Sequence, residues 1–234
     1  MFPDQFQQFE ETIYEEGQRR VLVREVRQFG ELILGERFCG EPDGSIAAEL
    51  LSKEIQSGRL SLKKWDDEVE QWIQRVGFLA MHCPVYGFSP IDEEARSILL
   101  QQLCLDAFSY REVKSREVWP VLKGWLASGM EPVLDNLAPV HIEVPGRRKP
   151  VPIRYKGEDA RVSMTVQELM GIKLHPTLAN GNYILPIEVL APNRRPVQVT
   201  TDLIGFWRDS YPDIRRQFRG RYPKHHWPEN PDFS

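Results

Sequence analysis

NYILPIEVLAPNRRPVQVTTDLIGFWRDSYPDIRRQFRG, residues 182–220, changes its texture half way along. Up to Thr201 it consists of two short runs rich in β-branched residues, NYILPIEVLAP and RPVQVTT, joined at a PNRRP turn. Beyond Thr201, DLIGFWRDS and PDIRRQFRG read as two short helices. Asp202 and Pro212 sit at their starts and Gly220 at the C′ position of the second. Strands in sequence that run straight into helices argue for an α+β fold.

Outward from there, HIEVP, PVPIRY and ARVSMTV are further β-type runs, separated by the turns PGRRKP and KGED and interrupted by a brief helical piece, VQELMG. Residues 138–234 are therefore expected to form a β-rich unit closed by C-terminal helices and an extended tail. Residues 43–137 carry helical periodicity instead. SIAAELLSKEIQSG spaces Ile46, Leu50, Leu51 and Ile55 on one face, with Asp43 or Ser45 as cap and Gly58 as stop. The next helix places Trp65, Val69, Trp72, Ile73 and Val76 on one stripe. Asp92 opens a third, and REVWPVLKGWLASG reads as a fourth with Pro120 near its start or at a kink. Residues 1–42, with Val21, Val23 and Val26 and the punctuation Gly17, Gly30 and Gly35, read as a short β-meander. A meander so small is marginal alone, so its sheet is expected to be completed from elsewhere.

Composition sets the outer limits. With 234 residues, 41% hydrophobic and 27% charged, the chain can bury a core and lies far from the signature of disorder. It has no long apolar span and MFPDQFQQFEE lacks the character of a secretion signal, so a cytoplasmic protein without membrane contact is expected. Cys39, Cys83 and Cys104 are odd in number and widely spaced, which points to buried free thiols rather than disulfides or zinc. None of His82, His141, His175, His225 and His226 stands at a metal-binding spacing on one helix. No GxxxxGK[ST] loop is present to hold nucleotide phosphates, and Ser89 and Ser128 lack the context of a catalytic nucleophile. The chain is thus not expected to be an enzyme on its own.

The charge is uneven. Residues 1–146 hold 15 basic and 25 acidic side chains, whereas residues 147–227 hold 15 and 7. A polyanion would be drawn to the second segment, because local potential steers association. Helix-dipole complementation accounts for part of the charge on Arg215, Arg216 and Arg219. It does not account for Arg147, Arg148, Arg194, Arg195, Arg221 and Lys224, which stand in turns or past a helix end. All nine are candidate phosphate contacts, and solvated loop charge is the alternative for each. Trp65, Trp72, Phe206 and Trp207 read as core residues rather than stacking platforms.

The run RPVQVTTDLIGFWRDSYPDIRRQFRGRYPKHHWPENP, Arg195 to Pro231, resembles the closing segment of the HrpB family of bacterial DEAH-box ATP-dependent helicases. The shared marks are the run Arg195 to Leu203, the Phe206–Trp207 pair, Tyr211, and Gly220, Tyr222, Pro223, Trp227 and Pro228 in GRYPKHHWP. Upstream, Ile153, Tyr155, Gln167, Glu168, Gly171, Pro176, Gly181 and Pro186 fall in register with the family, and the earlier segments resemble it more loosely. The chain has Thr165 and Asn182 where relatives often carry arginine, and Thr201 where the family residue is frequently basic or polar, so three cations of the family are missing from the β unit. The resemblance implies a larger protein with two RecA-like motor domains and accessory domains, of which this chain corresponds to the last portion. It also implies that residues 1–42 are the end of an OB-like domain. ATP and magnesium would then belong to the motor domains, and the partners would be those domains and single-stranded RNA. The rival is a structural and protein-interaction module that docks on the motor or another protein and never touches nucleic acid. The tail carrying Tyr222 and Trp227, held extended by Pro223 and Pro228, either docks on its own domain or stacks on bases.

With no phosphate-binding loop, the purified chain is expected to hydrolyse no ATP, with or without RNA. Phosphate release that survives purification and disappears on mutation of a residue in this chain would contradict this.

Overall fold

The structure is a computed structural model that describes residues 6–231; the extreme ends of the meander and tail segments, 1–5 and 232–234, lie outside the described residues. The chain forms two compact units, one of residues up to 70 together with 91–127, the other of residues 71–90 with those from 128 onward. The division cuts across the run of strands, helices and strands along the chain, because the helices between residues 44 and 137 are shared between the units.

In the first unit, β1 (Phe6–Glu15), β2 (Arg20–Phe29) and β3 (Leu32–Phe38) form an antiparallel meander. A register shift at Arg27/Gln28 bends the outer pair. Val21 and Val26 of β2 are buried. Helix α1 (Gly44–Gln56) packs on β1 and β2 and against α3 (Glu93–Cys104). The core between the helices holds Ala47, Ala48 and Leu51 of α1 with Leu99, Leu100 and Leu103 of α3. Each of these leucines contributes roughly 1.5–3 kcal/mol on burial. Asp43 caps α1 by accepting from Ser45 and Ile46, and Asp92 caps α3 by accepting from the Ala95 N–H at 2.9 Å. Short helices α4 (Tyr110–Val113) and α5 (Trp119–Lys123) follow, with Pro120 in the first turn of α5 as its missing N–H requires.

Helix α2 (Asp67–His82) begins one residue after its cap, Asp66, so Trp65 lies outside it rather than on its apolar stripe. Trp65 instead donates its indole N–H to Glu70 at 2.6 Å and lies beneath the Arg96 guanidinium, which grips both oxygens of Glu70. Hydrogen bonding from Arg96 lowers the Glu70 carboxyl below its usual range, against the opposing effect of burial.

The second unit is built on a five-stranded sheet in the order β10-β9-β6-β5-β4, formed by β4 (His141–Ile142), β5 (Val151–Lys156), β6 (Asp159–Thr165), β9 (Ile187–Leu190) and β10 (Pro196–Thr200). Strands β6 and β9 run parallel and the other neighbours antiparallel. The alternation in sequence sets the inner face: Val151, Ile153 and Tyr155 of β5 and Ala160, Val162 and Met164 of β6 are buried. Phe78, on the part of α2 that belongs to this unit, meets Tyr155 and Tyr183 edge-on, with centroids 5.2 and 4.9 Å away. Helix α6 (Met130–Leu137) precedes the sheet, and α7 (Val166–Leu169) carries a capping box in which Thr165 and Glu168 serve each other's backbone. The run NYILPIEVLAP is divided by Pro186, which has no N–H for a ladder, into β8 (Tyr183–Ile184), paired with β7 (Thr177–Leu178), and β9.

At the C-terminus, α8 (Leu203–Gly205) and α9 (Tyr211–Phe218) are joined by a π-helical turn, Phe206–Ser210, rather than separated. The Tyr211 N–H reaches back to the Phe206 carbonyl, and Pro212, with no N–H to give Arg208, holds the turn wide. Gly220 also departs from expectation. Its φ lies outside the left-handed range, because the Tyr222 N–H donates to the Phe218 carbonyl at 2.7 Å and carries the helical bonding past it. Cys83 and Cys104 are buried, with burial raising the Cys104 thiol to about 11, whereas Cys39 is only half-buried. Among the described residues no helix is long and apolar enough to cross a membrane.

A Cβ at Gly220 would meet nothing within 4 Å, so Gly220→Ala should leave stability unchanged or raise it by up to about 1 kcal/mol. Gly171→Ala, at φ +97, should cost about 1 kcal/mol or more. Thermal melts of the two variants check this, and an equal loss at both positions would refute it.

Candidate nucleic-acid interface

The tail is placed by helix α9. Tyr211, Ile214 and Phe218 form its buried stripe, at the spacing that keeps one face inward. Past the helix the chain does not run extended. Tyr222, Pro223, Lys224 and His225 make a turn closed by the His225 N–H on the Tyr222 carbonyl at 3.1 Å, with Pro223 where its fixed φ suits a turn. The chain then returns along α9. The Trp227 indole N–H donates to the Tyr222 carbonyl at 3.0 Å, and its ring lies 6.3 Å from that of Phe218. The Tyr211 hydroxyl donates to the Pro228 carbonyl at 2.8 Å. Burial raises the Tyr211 phenol above its ordinary value, against the effect of Arg215, so it stays a neutral donor.

The nine candidate cations separate into two kinds. Arg215 is committed to the tail: its Nε donates to the Trp227 carbonyl and its Nη2 to Glu229, each at 3.0 Å. Arg147 pairs with Glu168 at 2.7 Å, and Arg216 pairs with Asp213 in the open, at 3.1 Å. Arg148, Arg194, Arg195, Arg219, Arg221 and Lys224 are exposed and have no ion pair among the described residues. Arg221 lies 5.8 Å over the Tyr222 ring, which leaves its charge outward. Arg194 and Arg195 occupy the tip of the β9–β10 hairpin, where Arg194 adopts a left-handed φ of 63° and donates its N–H to the Ala191 carbonyl.

Helix α7 draws two of these groups together. Glu168 holds Arg147, and the neighbouring Gln167 donates to the His226 carbonyl at 3.3 Å, so the 147–149 loop and the tail turn with Arg221, Lys224, His225 and His226 meet on one short helix. The hairpin tip is a separate basic point. Of the expected signature residues, Phe206, Trp207 and Tyr211 are buried side by side, with ring centroids 4.9 and 5.0 Å apart, and Tyr222, Trp227 and Pro228 are half-buried. The organising role of Gln167 and Glu168 was not readable from residue type. The signals in the sequence were the capping pattern of TVQE and the register of both residues with the family.

The sequence has no phosphate-binding loop, and no group of three or more His, Cys, Asp or Glu among the described residues is arranged to hold a metal.

Residues 99–231 match the family model described as HrpB_C, ATP-dependent helicase C-terminal. The chain is 30% identical over 234 residues to the ATP-dependent RNA helicase HrpB of Escherichia coli (strain K12), covering 98% of this chain and 29% of that protein. Two crystal structures are similar to it. That of the E. coli DExH-box NTPase HrpB aligns with TM-score 0.74 and 29% identity, and that of the E. coli DEAH/RHA helicase HrpB with TM-score 0.65 and 28% identity. They cover 98% and 96% of this chain and 29% of each solved chain, so the sequence spans under a third of the length of these relatives.

Trp227→Ala should lower the melting temperature, with a loss of about 2 kcal/mol for a half-buried indole, and Tyr211→Phe should cost about 1 kcal/mol. Unchanged melts in both would mean that the tail is not held by these contacts.

Proposed function

The chain belongs to the HrpB family of ATP-dependent helicases, in the C-terminal region of that family, and on this premise we propose that it is an accessory region that guides single-stranded RNA by its phosphates. The reading rests chiefly on one observation: six cations of the second unit stand in turns, exposed and unpaired, while their neighbours Arg147, Arg215 and Arg216 hold acidic partners. A side chain already neutralised gains little from a phosphate. One that is open and fixed at a turn gains the full release of counterions. On this reading ATP hydrolysis belongs to motor domains elsewhere in the helicase, which this region supports, and the protein is cytoplasmic.

A second observation favours protein contact in the first unit. Phe6, Leu32, Ile33, Leu34 and Phe38 of the meander are all at least half exposed, and every residue of β3 is open to solvent. A sheet with so much apolar surface is suited to burial against further protein. Here the meander is the closing part of an OB-like domain that joins the region to the motor. The two readings concern different units and both can hold.

Fluorescence anisotropy with a single-stranded oligoribonucleotide over a salt series tests the RNA reading. If about four phosphates are neutralised, log K against log salt should slope near −3, and removing Arg221 and Lys224 together should flatten it by roughly 1.4. Arg216→Ala should have less effect. Absence of binding at low salt would leave only the protein-docking role.

A further inference from the structure

One face of the β5–β6 hairpin is core and the other is open. Arg154 and Lys156 of β5 and Asp159 and Arg161 of β6 alternate with the buried residues and are exposed. The register sets Arg154 directly opposite Arg161. Side chains so placed have Cβ atoms about 4.5–5.5 Å apart, where like charges oppose folding. Lys156 follows on the same face, about 6.5 Å along the strand from Arg154.

No acidic group relieves the pair. Neither arginine has an ion pair or a side-chain hydrogen bond among the described residues, and the same is true of Lys156. Asp159 lies across from Lys156 rather than from either arginine. Glu188, on the neighbouring strand β9, accepts instead from the Ser163 hydroxyl at 2.6 Å. Nor can the hairpin slip to separate the charges, since a shift of one residue would turn Ile153 and Tyr155 out of the core. Helix α2 holds the same register through Gln71 on the Tyr155 backbone and Gln74 on the Gly157 N–H. Two guanidiniums held together at a cost to the fold are suited to an anion with several acceptor oxygens, as a phosphate has. Their strands also connect with the cations already described, because β5 follows the 147–149 loop and β6 runs into α7.

We propose that Arg154 and Arg161 form a phosphate site on the open face of the sheet, where an RNA strand passes from the basic turns at α7 towards Lys156. The site rests on the reading that this region contacts RNA by its phosphates. It extends that contact from the turns to paired strands, whose side chains the fold holds in register.

Arg154→Glu and Arg161→Glu, made singly in the intact chain, test this, with Lys173→Glu at another exposed cation of the unit as the control for net charge. Each arginine substitution turns a repulsive pair into an attractive one and should raise the melting temperature by about 2 °C. Each should also weaken low-salt binding of a single-stranded oligoribonucleotide by about threefold or more beyond Lys173→Glu, and flatten the salt slope by about 0.7, the share of one phosphate contact. If the intact chain binds RNA and the arginine variants bind no worse than the control, the site is overturned and the face is left to an acidic protein surface. Melting temperatures lowered by both substitutions also overturn it, because the arginines would then serve the fold. If the intact chain binds no RNA, the site falls together with the reading beneath it.

Discussion

The carboxamide of Gln71 donates to the carbonyl of Tyr155 at 3.1 Å and accepts from its N–H at 3.0 Å, and the second unit is organised around this pair. Strand β4 covers only the start of β5, so at Tyr155 the sheet edge would otherwise hold an unpaired donor and acceptor beneath a helix. Gln71 fills the place of a strand. One and three turns along the same helix face, Gln74 accepts from the Gly157 N–H at 2.6 Å and His82 Nε2 lies 2.7 Å from the Glu158 carbonyl. Between them the buried Arg75 donates to the Ala138 carbonyl at 2.6 Å and to Asp135 at 2.5 Å, and Phe78 fills the core. One face of α2 thus satisfies the backbone of the β5–β6 hairpin and the entry to β4.

Helix α7 and the tail both depend on that placement. The hairpin leads directly into α7, and α7 holds both the 147–149 loop and the tail through Glu168 and Gln167. Burial pushes the Tyr155 phenol well above its usual range, keeping it a neutral donor to the Pro139 carbonyl at 2.7 Å. The polar contacts that matter in this unit run from side chain to backbone. Such bonds fix position along the chain as well as distance, which apolar burial alone does not do.

The tail shows a division of labour among cations of the same type. Arg215 is turned to structure by two acceptors on the returning chain, while Arg221 and Lys224, a few residues on, remain open. Docking of Trp227 on α9 makes this division possible. It fixes a turn whose tip is polar and whose stem is aromatic, and it takes the indole out of competition as a platform for bases.

The elements themselves were legible in the sequence. Asp43, Asp92 and Asp202 cap the helices they were expected to cap, and the alternation in VPIRYK and DARVSMT decides which face of the sheet is buried. Local hydrogen bonding and period determine these features, so composition and spacing suffice to read them. Charge asymmetry likewise marked the second unit as the more basic part of the chain. Spacing could not tell which arginines would find partners, since Arg147–Glu168 and Arg215–Glu229 join residues 21 and 14 positions apart in the chain. Nor could it place Gly220, whose conformation follows from the Tyr222–Phe218 bond, or the tail, which Pro223 turns because Trp227 has α9 to return to.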